Sequence, residues 1–417
     1  MKVLIDSQEL QQSLMIHAKT IAKKHSIPIL SSVLIKFTQS GIDVISTDLD
    51  SCCIHSIKGK ISGRVYKPFP AHPVFRLTGE KNGNICIDFK ALQNVTKKLS
   101  GLIQVEKREE KLFITEIESG FILEIDGQSS LDYPGINAEL PKNFTLFSTR
   151  LLKICIEKTV QFASHDEGRT VFNGACLEFN DDNFKMIATD GYRLVIQEYT
   201  WQPFPTITGI EGLKTDNQLI IPRKPLLNIL YTIEKLAKKE KKREVLPKIF
   251  IGHSENKFFC KIGEFLYFTR IIDGRFPNYK HVLLNTVTDT FQVDRADMIK
   301  KIEKLLPILD KKGCGLLIKS MEKEITLSGS NVNEEGRVTR GEISLKDAVT
   351  TGKEFKVMFN AHYILDFLNN LDNGIALINF NISGNGKQKS PIEIRDFVNE
   401  GLNQIVMPMQ VDDDYNY

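Results

Sequence analysis

The sequence predicts an α+β fold of three similar units in a row, each an antiparallel sheet covered on one face by two helices. Three observations predict it. A strand, a capping residue and an amphipathic helix recur at a spacing of about 140 residues, far longer than solenoid repeats, so the copies are whole domains. A second helical segment recurs later in each third. The stretches around these helices alternate apolar and polar residues between turn signals, the pattern of antiparallel hairpins and meanders.

The first recurring element is "VLIDSQELQQSLMIHAKTIAKK" from Val3, "FTLFSTRLLKICIEKTVQFA" from Phe144 and "TFQVDRADMIKKIEKLLPIL" from Thr290. Asp6, Ser148 and Asp294 stand where each helix begins, and their side-chain oxygens suit the free N–H groups of a first turn. Asp6 with Glu9 has the spacing of a capping box. The second element is "CIDFKALQNVTKKL" (86–99), "IIPRKPLLNILYTIEKL" (220–236) and "MFNAHYILDFLNNL" (358–371). Leu92, Val95 and Leu99, or Ile364, Leu365 and Leu368, recur at helical spacing, and Pro222 sits where a helix start tolerates proline. "KLFITEIESGFILEI" (111–125), "KIFIGHSENKFFCKIGEFLYFTRII" (248–272) and "PIEIRDFVNEGLNQIVMPMQV" (391–411) read as hairpins and meanders.

Composition fits such domains. The 417 residues are 41% apolar and 26% charged, enough for real cores and against disorder. No run approaches 18 apolar residues and the N-terminus turns polar by Asp6, so neither a membrane helix nor a secretory signal is expected. Seven cysteines without C-x-x-C spacing read as reduced, buried thiols, and the Cys52–Cys53 pair points to opposite faces of its strand.

Net charge is +3, but its distribution says more. The six helical windows (7–24, 89–99, 149–164, 223–243, 295–312, 361–372) carry +14 together, leaving −11 for the rest. Five windows are basic and only the sixth is acidic. Lysines covering solvated helix faces are one reading. A basic surface that tracks phosphates without reading bases is the other.

Signatures of chemistry are missing. The chain holds no P-loop, nucleophile elbow, zinc-protease or dinucleotide-binding pattern, and its eight histidines show no metal-ligand spacing. No catalytic residue, metal ligand or cofactor is expected. Asp190, in "MIATDGYRLVI" (186–196), reads as a hairpin turn because Asp and Gly both tolerate positive φ, and as a catalytic carboxylate only if a partner base exists.

A set of short segments, in order along nearly the whole chain, carries a resemblance. They are "IPIL" (27–30), "TDLD" (47–50), "LDYPGI" (131–136), "FNGACLEF" (172–179), "ATDGYRL" (188–194), "IIPRK" (220–224), "GEFLYFTRIIDGRFPNYKHV" (263–282), "YILDFLNNL" (363–371) and "VMPMQV" (406–411). The chain resembles the bacterial sliding clamp family, the beta subunit of DNA polymerase III. That resemblance implies three clamp domains (1–141, 142–286 and 287–417), forming half of a six-domain ring as a head-to-tail homodimer. Helices would line a hole for duplex DNA, and the function would be processive tethering without chemistry. The implied setting is the bacterial cytoplasm, at the nucleoid.

The resemblance also implies residues. A groove for peptides of the replicative polymerase, the clamp loader and other clamp-binding proteins would use Phe172 and the hairpin residues Thr189, Gly191, Tyr192, Arg193 and Leu194. Pro277 and Val282 would join from the next segment, with Pro391, Ile405, Met407, Pro408 and Met409 from the C-terminal end. Flexible Met side chains suit varied partners. DNA contacts would come from Lys24, Lys97 and Arg169, and the dimer from Phe121 and Leu123 meeting Ile308 and Leu309 of the third domain's first helix.

The chain departs from the family in places. Extra segments fall at about 58–86 and 201–217, the Lys-rich 235–248 is extended, and the acidic "DDDYNY" (412–417) runs past the usual end. His281 stands where some clamps carry Arg, and Asp166, Thr170 and Val171 make poorer DNA contacts than the family's residues there. Two other readings differ in kind: a monomeric nucleic-acid-binding scaffold using the same basic helices, and an enzyme built on Asp190.

Overall fold

The structure, a computed structural model, describes residues 2–21, 27–59, 83–136, 140–141, 144–166, 168–180, 183–200, 218–240, 243–310, 313–321, 324–332, 334–351, 354–381 and 391–409. The segments 60–82 and 201–217, the tail and Lys24 lie outside the described residues.

The first third runs β1 (Lys2–Asp6), α1 (Ser7–His17), β2 (Ser32–Thr38), β3 (Gly41–Thr47), β4 (Ser51–Lys58), β5 (Asn84–Asp88), α2 (Phe89–Thr96), β6 (Leu102–Arg108), β7 (Lys111–Glu116) and β8 (Ile122–Asp126). The second runs β9 (Thr145–Phe147), α3 (Thr149–Thr159), β10 (Gly174–Phe179), β11 (Asn183–Thr189), β12 (Arg193–Thr200), β13 (Leu219–Pro222) and α4 (Arg223–Leu236). A two-stranded ribbon, β14 (Lys238–Glu240) and β15 (Arg243–Val245), precedes β16 (Ile249–His253), β17 (Lys257–Ile262) and β18 (Phe265–Arg270). The third runs β19 (Asp289–Asp294), α5 (Arg295–Leu305), β20 (Gly315–Met321), β21 (Glu324–Val332), β22 (Val338–Leu345), β23 (Val349–Thr350) and β24 (Phe355–Asn360). It ends with α6 (Ala361–Asn370), β25 (Ile375–Phe380), β26 (Ile392–Asp396) and β27 (Leu402–Val406).

The threefold repeat is therefore real in the strand order, but each third carries two ladders rather than one sheet. The first is β1-β6-β7-β8, matched by β9-β16-β17-β18 and by β19-β25-β26-β27. The second is β5-β2-β3-β4, matched by β13-β10-β11-β12 and by β24-β20-β21-β22. Pairing runs on between thirds. β4 pairs with β18, giving an eight-stranded sheet, and β12 pairs with β27, giving a nine-stranded one that ends on β23. Backbone hydrogen bonds thus cross the limits expected from the repeat. The chain divides into two compact units, one mainly Met1–Lys153 with Lys224–Ile271, the other mainly Ile154–Pro203, Thr215–Arg223 and Ile272–Tyr417.

The caps work as the residue types dictate. Asp6 accepts from Gln8 N–H at 2.7 Å and Asp294 from Asp297 N–H at 2.7 Å, while the Ser148 hydroxyl lies 3.4 Å from Leu151 N. Asp88 and Asn360 cap α2 and α6 in the same way. Each such bond contributes about 1 kcal/mol. Pro222 ends β13 instead of opening α4, and the proline inside the first turn is Pro225.

In the first unit Leu10 and Leu14 of α1 and Leu92 of α2 meet Val33, Ile35, Ile103 and Ile114 from both ladders in one core. Leu34, Ile45, Cys52 and Ile54 face the other side of the sheet, under Tyr133 and Phe144. Alternation along the strands produces both cores. Cys52 and Cys53 do point to opposite faces, and both are buried; burial pushes the Cys53 thiol up to about 12. In the second unit, Leu194, Ile196 and Ile405 of the nine-stranded sheet pack under Phe276, Tyr279 and Val282.

The charge sorting needs correction. α1 closes at His17 and holds no lysine, so its basic residues follow the helix. Across all six helices as formed the net charge is +5, the rest of the +14 lying in the segments after them. Lys97 is the residue at the C-terminal end of α2, and Lys158, Lys235 and Lys304 occupy last turns. That is where the helix dipole favours a cation, so part of the pattern has a local cause.

Candidate functional site

The β11–β12 connection is a tight turn made by side chains. The Asp190 carboxylate accepts from Tyr192 N–H at 3.0 Å and Arg193 N–H at 3.1 Å through one oxygen, and from Arg193 Nε at 2.9 Å through the other. Thr189 donates its hydroxyl to the Arg193 carbonyl at 2.6 Å and accepts from Gly191 N–H at 3.0 Å. Gly191 alone of the turn takes positive φ, at +94°, with a Cβ position only 3.1 Å from Arg169 Nη1. Asp190 therefore acts through its side chain rather than through a left-handed backbone. Both of its oxygens are engaged in the turn, which gives the Asp-Gly turn signal a structural cause.

Arg193 is held from several sides. Nη1 meets Asp366 of α6 at 2.5 Å, and the guanidinium lies 4.5 Å from the Tyr363 ring centre and 5.1 Å from that of Phe162. Its side chain is 13% exposed, so its contact with the mostly buried Asp190 is stronger than a surface pair, while Asp366 on the other side is half exposed. The Tyr363 hydroxyl is pushed up by burial first and by the nearby Asp190 second. Phe162 packs edge-on against Phe367 at 5.0 Å, which fixes that wall.

β27 supplies the next wall. Leu194 pairs with Ile405 and Arg193 with Val406, after which Met407 N–H donates to the Tyr192 carbonyl at 2.9 Å. Met409 N–H then donates to the Met358 carbonyl at 2.8 Å, so the chain crosses from β27 to β24. Pro391 stands one step beyond the Ile392–Val406 pair. Tyr192 and Met407 are exposed, while Leu194 and Ile405 are buried beneath them with Val282 beside.

Most of the expected groove residues are thus one cluster. Phe172 touches the turn at Gly191, the hairpin residues pair with the 405–407 segment, and Val282 packs on the same core; Pro277 is tied through its carbonyl to Tyr279 N–H. They form an open surface. A cleft of about 360 Å³ lies further along β12, lined by Ile196, Tyr279, Leu283 and Asn403, and none of the thirteen expected residues lines it. His281 is exposed, with its Nε2 2.8 Å from Asn278 Nδ2.

Sequence reasoning missed Tyr363, Asp366 and Phe162. The signal was present in the charges, because the sixth helical window was the one acidic exception. Its two acids are Asp366, bound to Arg193, and Asp372, bound to Lys158 at 2.6 Å.

The other expected residues are placed individually. Lys97 is exposed at the end of α2, 3.3 Å from the Asn94 side-chain oxygen. Arg169 leans to the hairpin, 5.9 Å from the Tyr192 ring centre and 3.5 Å from the Asp190 carbonyl. It lies against the same turn as Phe172. Phe121 is 53% exposed, just before the edge strand β8, and Leu123 is partly buried against the first unit's core. Ile308 follows α5 in a short 3-10 turn (Leu306–Ile308) and is partly exposed beside Gly341. Leu309 departs from expectation: it is 2% exposed, its side chain filling the space over Gly329, and so is core. Among the described residues no group of His, Cys, Asp and Glu could hold a metal.

Comparison with known proteins matches this geometry to one family. Models of the DNA polymerase III beta subunit match the N-terminal domain at residues 1–137, the central domain at 147–278 and the C-terminal domain at 280–410. The beta sliding clamp of Buchnera aphidicola is 25% identical over 410 residues, covering 98% of this chain and 99% of that one. The Pseudomonas aeruginosa DNA polymerase III beta subunit has a similar fold, with TM-score 0.80 at 20% identity over 99% of this chain and 100% of that one. A sliding clamp of the same organism, solved bound to griselimycin, superposes with TM-score 0.78 at 20% identity over the same shares of the two chains. The chain belongs to the DNA polymerase III beta-subunit family, the DNA sliding clamps.

Proposed function

We propose that two copies of this clamp close head to tail around duplex DNA and tether the replicative polymerase, with clamp domains at 1–141, 142–286 and 287–417. One observation carries the reading. In the repeat, the last strand of each second ladder pairs with the last strand of the following first ladder, as β4 does with β18 and β12 with β27. The series leaves β8 and β22 as ladder ends without a partner strand among the described residues. An unpaired edge is a template for another chain, and a second copy offers the complementary edge.

DNA is then retained by enclosure. Exposed cations such as Lys97, with Lys24 and Arg169 as further candidates, neutralise phosphates without base contacts and permit sliding. The cluster around Tyr192 and Met407 captures short segments of the polymerase, the clamp loader and other partners. The clamp acts on DNA in the cytoplasm, at the nucleoid, and does no chemistry itself; the engagement of both Asp190 oxygens supports that.

Loading onto nicked circular duplex is expected to give complexes that survive gel filtration and fall off when the circle is linearised. Raising salt should weaken direct binding to linear duplex steeply, while leaving retention on closed circles much less affected. Retention that ignores linearisation would sink the ring and favour a monomeric DNA-binding scaffold.

A further inference from the structure

The internal repeat specifies which residues face each other where the two copies meet. We infer that β22 of one copy pairs antiparallel with β8 of the other in a single register, with Arg340 opposite Glu124 and Ile343 opposite Phe121. This rests on the proposed dimer and deepens it.

The register follows from cross-strand partners traced through each third. Starting two residues before the caps, Leu4, Leu146 and Gln292 pair with Gln104, Phe250 and Leu377. These pair with Thr115, Lys261 and Arg395, which in turn pair with Ile122, Leu266 and Asn403. Ile122 is therefore the counterpart of Leu266 and Asn403. In the second ladders, Cys86, Ile220 and Met358 stand two residues before the strand ends and pair with Leu34, Cys176 and Leu317. Their partners are Ile45, Ile187 and Ser328, and the next partners are Ile54, Ile196 and Glu342. Glu342 is the counterpart of Ile54 and Ile196.

Within the chain Ile54 pairs with Leu266, and Ile196 with Asn403. The same step places Glu342 opposite Ile122 on the second copy. Antiparallel geometry then sets Gly341 against Leu123, Arg340 against Glu124 and Ile343 against Phe121.

The chemistry of the two faces agrees. On the helix side Leu123 already packs toward its core, and Gly341 leaves room in which Ile308 and Leu305 approach. Phe121 and Ile343 extend that apolar contact. On the outer face the guanidinium of Arg340 meets the Glu124 carboxylate, which also binds Lys111. The hairpin tip suggests a rival register. β21 and β22 continue two pairs beyond the counterparts of Thr47 and Thr189, out to Val332–Val338. Aligning tips instead of ladders slips the pairing by two residues, which puts Arg340 opposite Ile122.

Charge reversal separates these. Sedimentation of Glu124→Arg and of Arg340→Glu should each show dimerisation weakened about 100-fold, because like charges then face each other at both interfaces of the ring. The double variant should recover. Mixing the two single variants should recover as well, since a mixed pair has opposite charges at both interfaces. If the wild-type dimerises while the single variants keep its Kd, or while neither the double variant nor the mixture recovers, the register is wrong and the dimer stands. A wild-type chain that stays monomeric at micromolar concentration overturns the dimer and the register together.

Discussion

Lowering the pH from 7 to 5 is expected to remove about 4 kcal/mol from the stability of the first unit, through two buried histidines. His17 is fully buried, with Nδ1 2.7 Å from the Ser46 hydroxyl and Nε2 without a hydrogen-bond partner among the described residues. His55 stacks on Phe265 at 3.7 Å with the rings nearly parallel, and its Nδ1 also lacks a partner among the described residues. Burial pushes both down from 6.5 to about 3, and at His17 a charged His55 ring would add repulsion. The sign follows. Above pH 6.5 both states are neutral and the stability is intact. Between 6.5 and about 3 the unfolded chain takes up protons that the folded one refuses, so stability falls as pH falls. At pH 5 each histidine contributes a loss of about 2 kcal/mol. Asp43, raised mainly by burial, acts the other way and trims the total. Urea unfolding of wild type and His55→Gln at pH 7 and pH 5 checks it. The variant should lose roughly half of the pH dependence; an unchanged slope would remove His55 as a cause.

Arg193→Ala combined with Met407→Ala should weaken binding of a polymerase-derived peptide by about 100-fold and leave the proposed dimer intact. Arg193 binds two carboxylates and two aromatic rings from a largely desolvated position, so its loss leaves Asp190 and Asp366 without their shared cation. Asp366 is half exposed and water relieves part of that, so the cost in stability is about 1–3 kcal/mol, below a fully buried pair. The turn that presents Tyr192 loosens with it. Met407 adds an exposed, flexible apolar contact whose removal alone is expected to cost about tenfold. Because both residues border Tyr192, the two effects should couple rather than add. Calorimetry with the peptide, with sedimentation as the control, reads both. Wild-type affinity in the double variant would show the groove to be elsewhere.

The proposed groove was only partly legible. Segments such as "ATDGYRL" and "VMPMQV" carried the hairpin and β27 through resemblance, and the structure joins them at the Tyr192–Met407 hydrogen bond. The acidic sixth window marked Asp366 as unusual but not as a support of Arg193, since Phe162 and Asp366 are 31 residues before and 173 after it in sequence. Leu309 shows the same limit. As a leucine after a helix it suits an interface or a core equally, and only Gly329 across from it decides for the core.

By itself the sequence determined the local order: three strand–cap–helix starts, their second helices and the alternating strands between, because caps and periodicity act over a few residues. Tertiary structure decided how these join. Whether a third folds its strands into one sheet or two, and that β4 continues into β18 and β12 into β27, depend on which edges find each other. Edge pairing is made by backbone N–H and C=O groups common to every residue, so no side-chain pattern along the chain announces it.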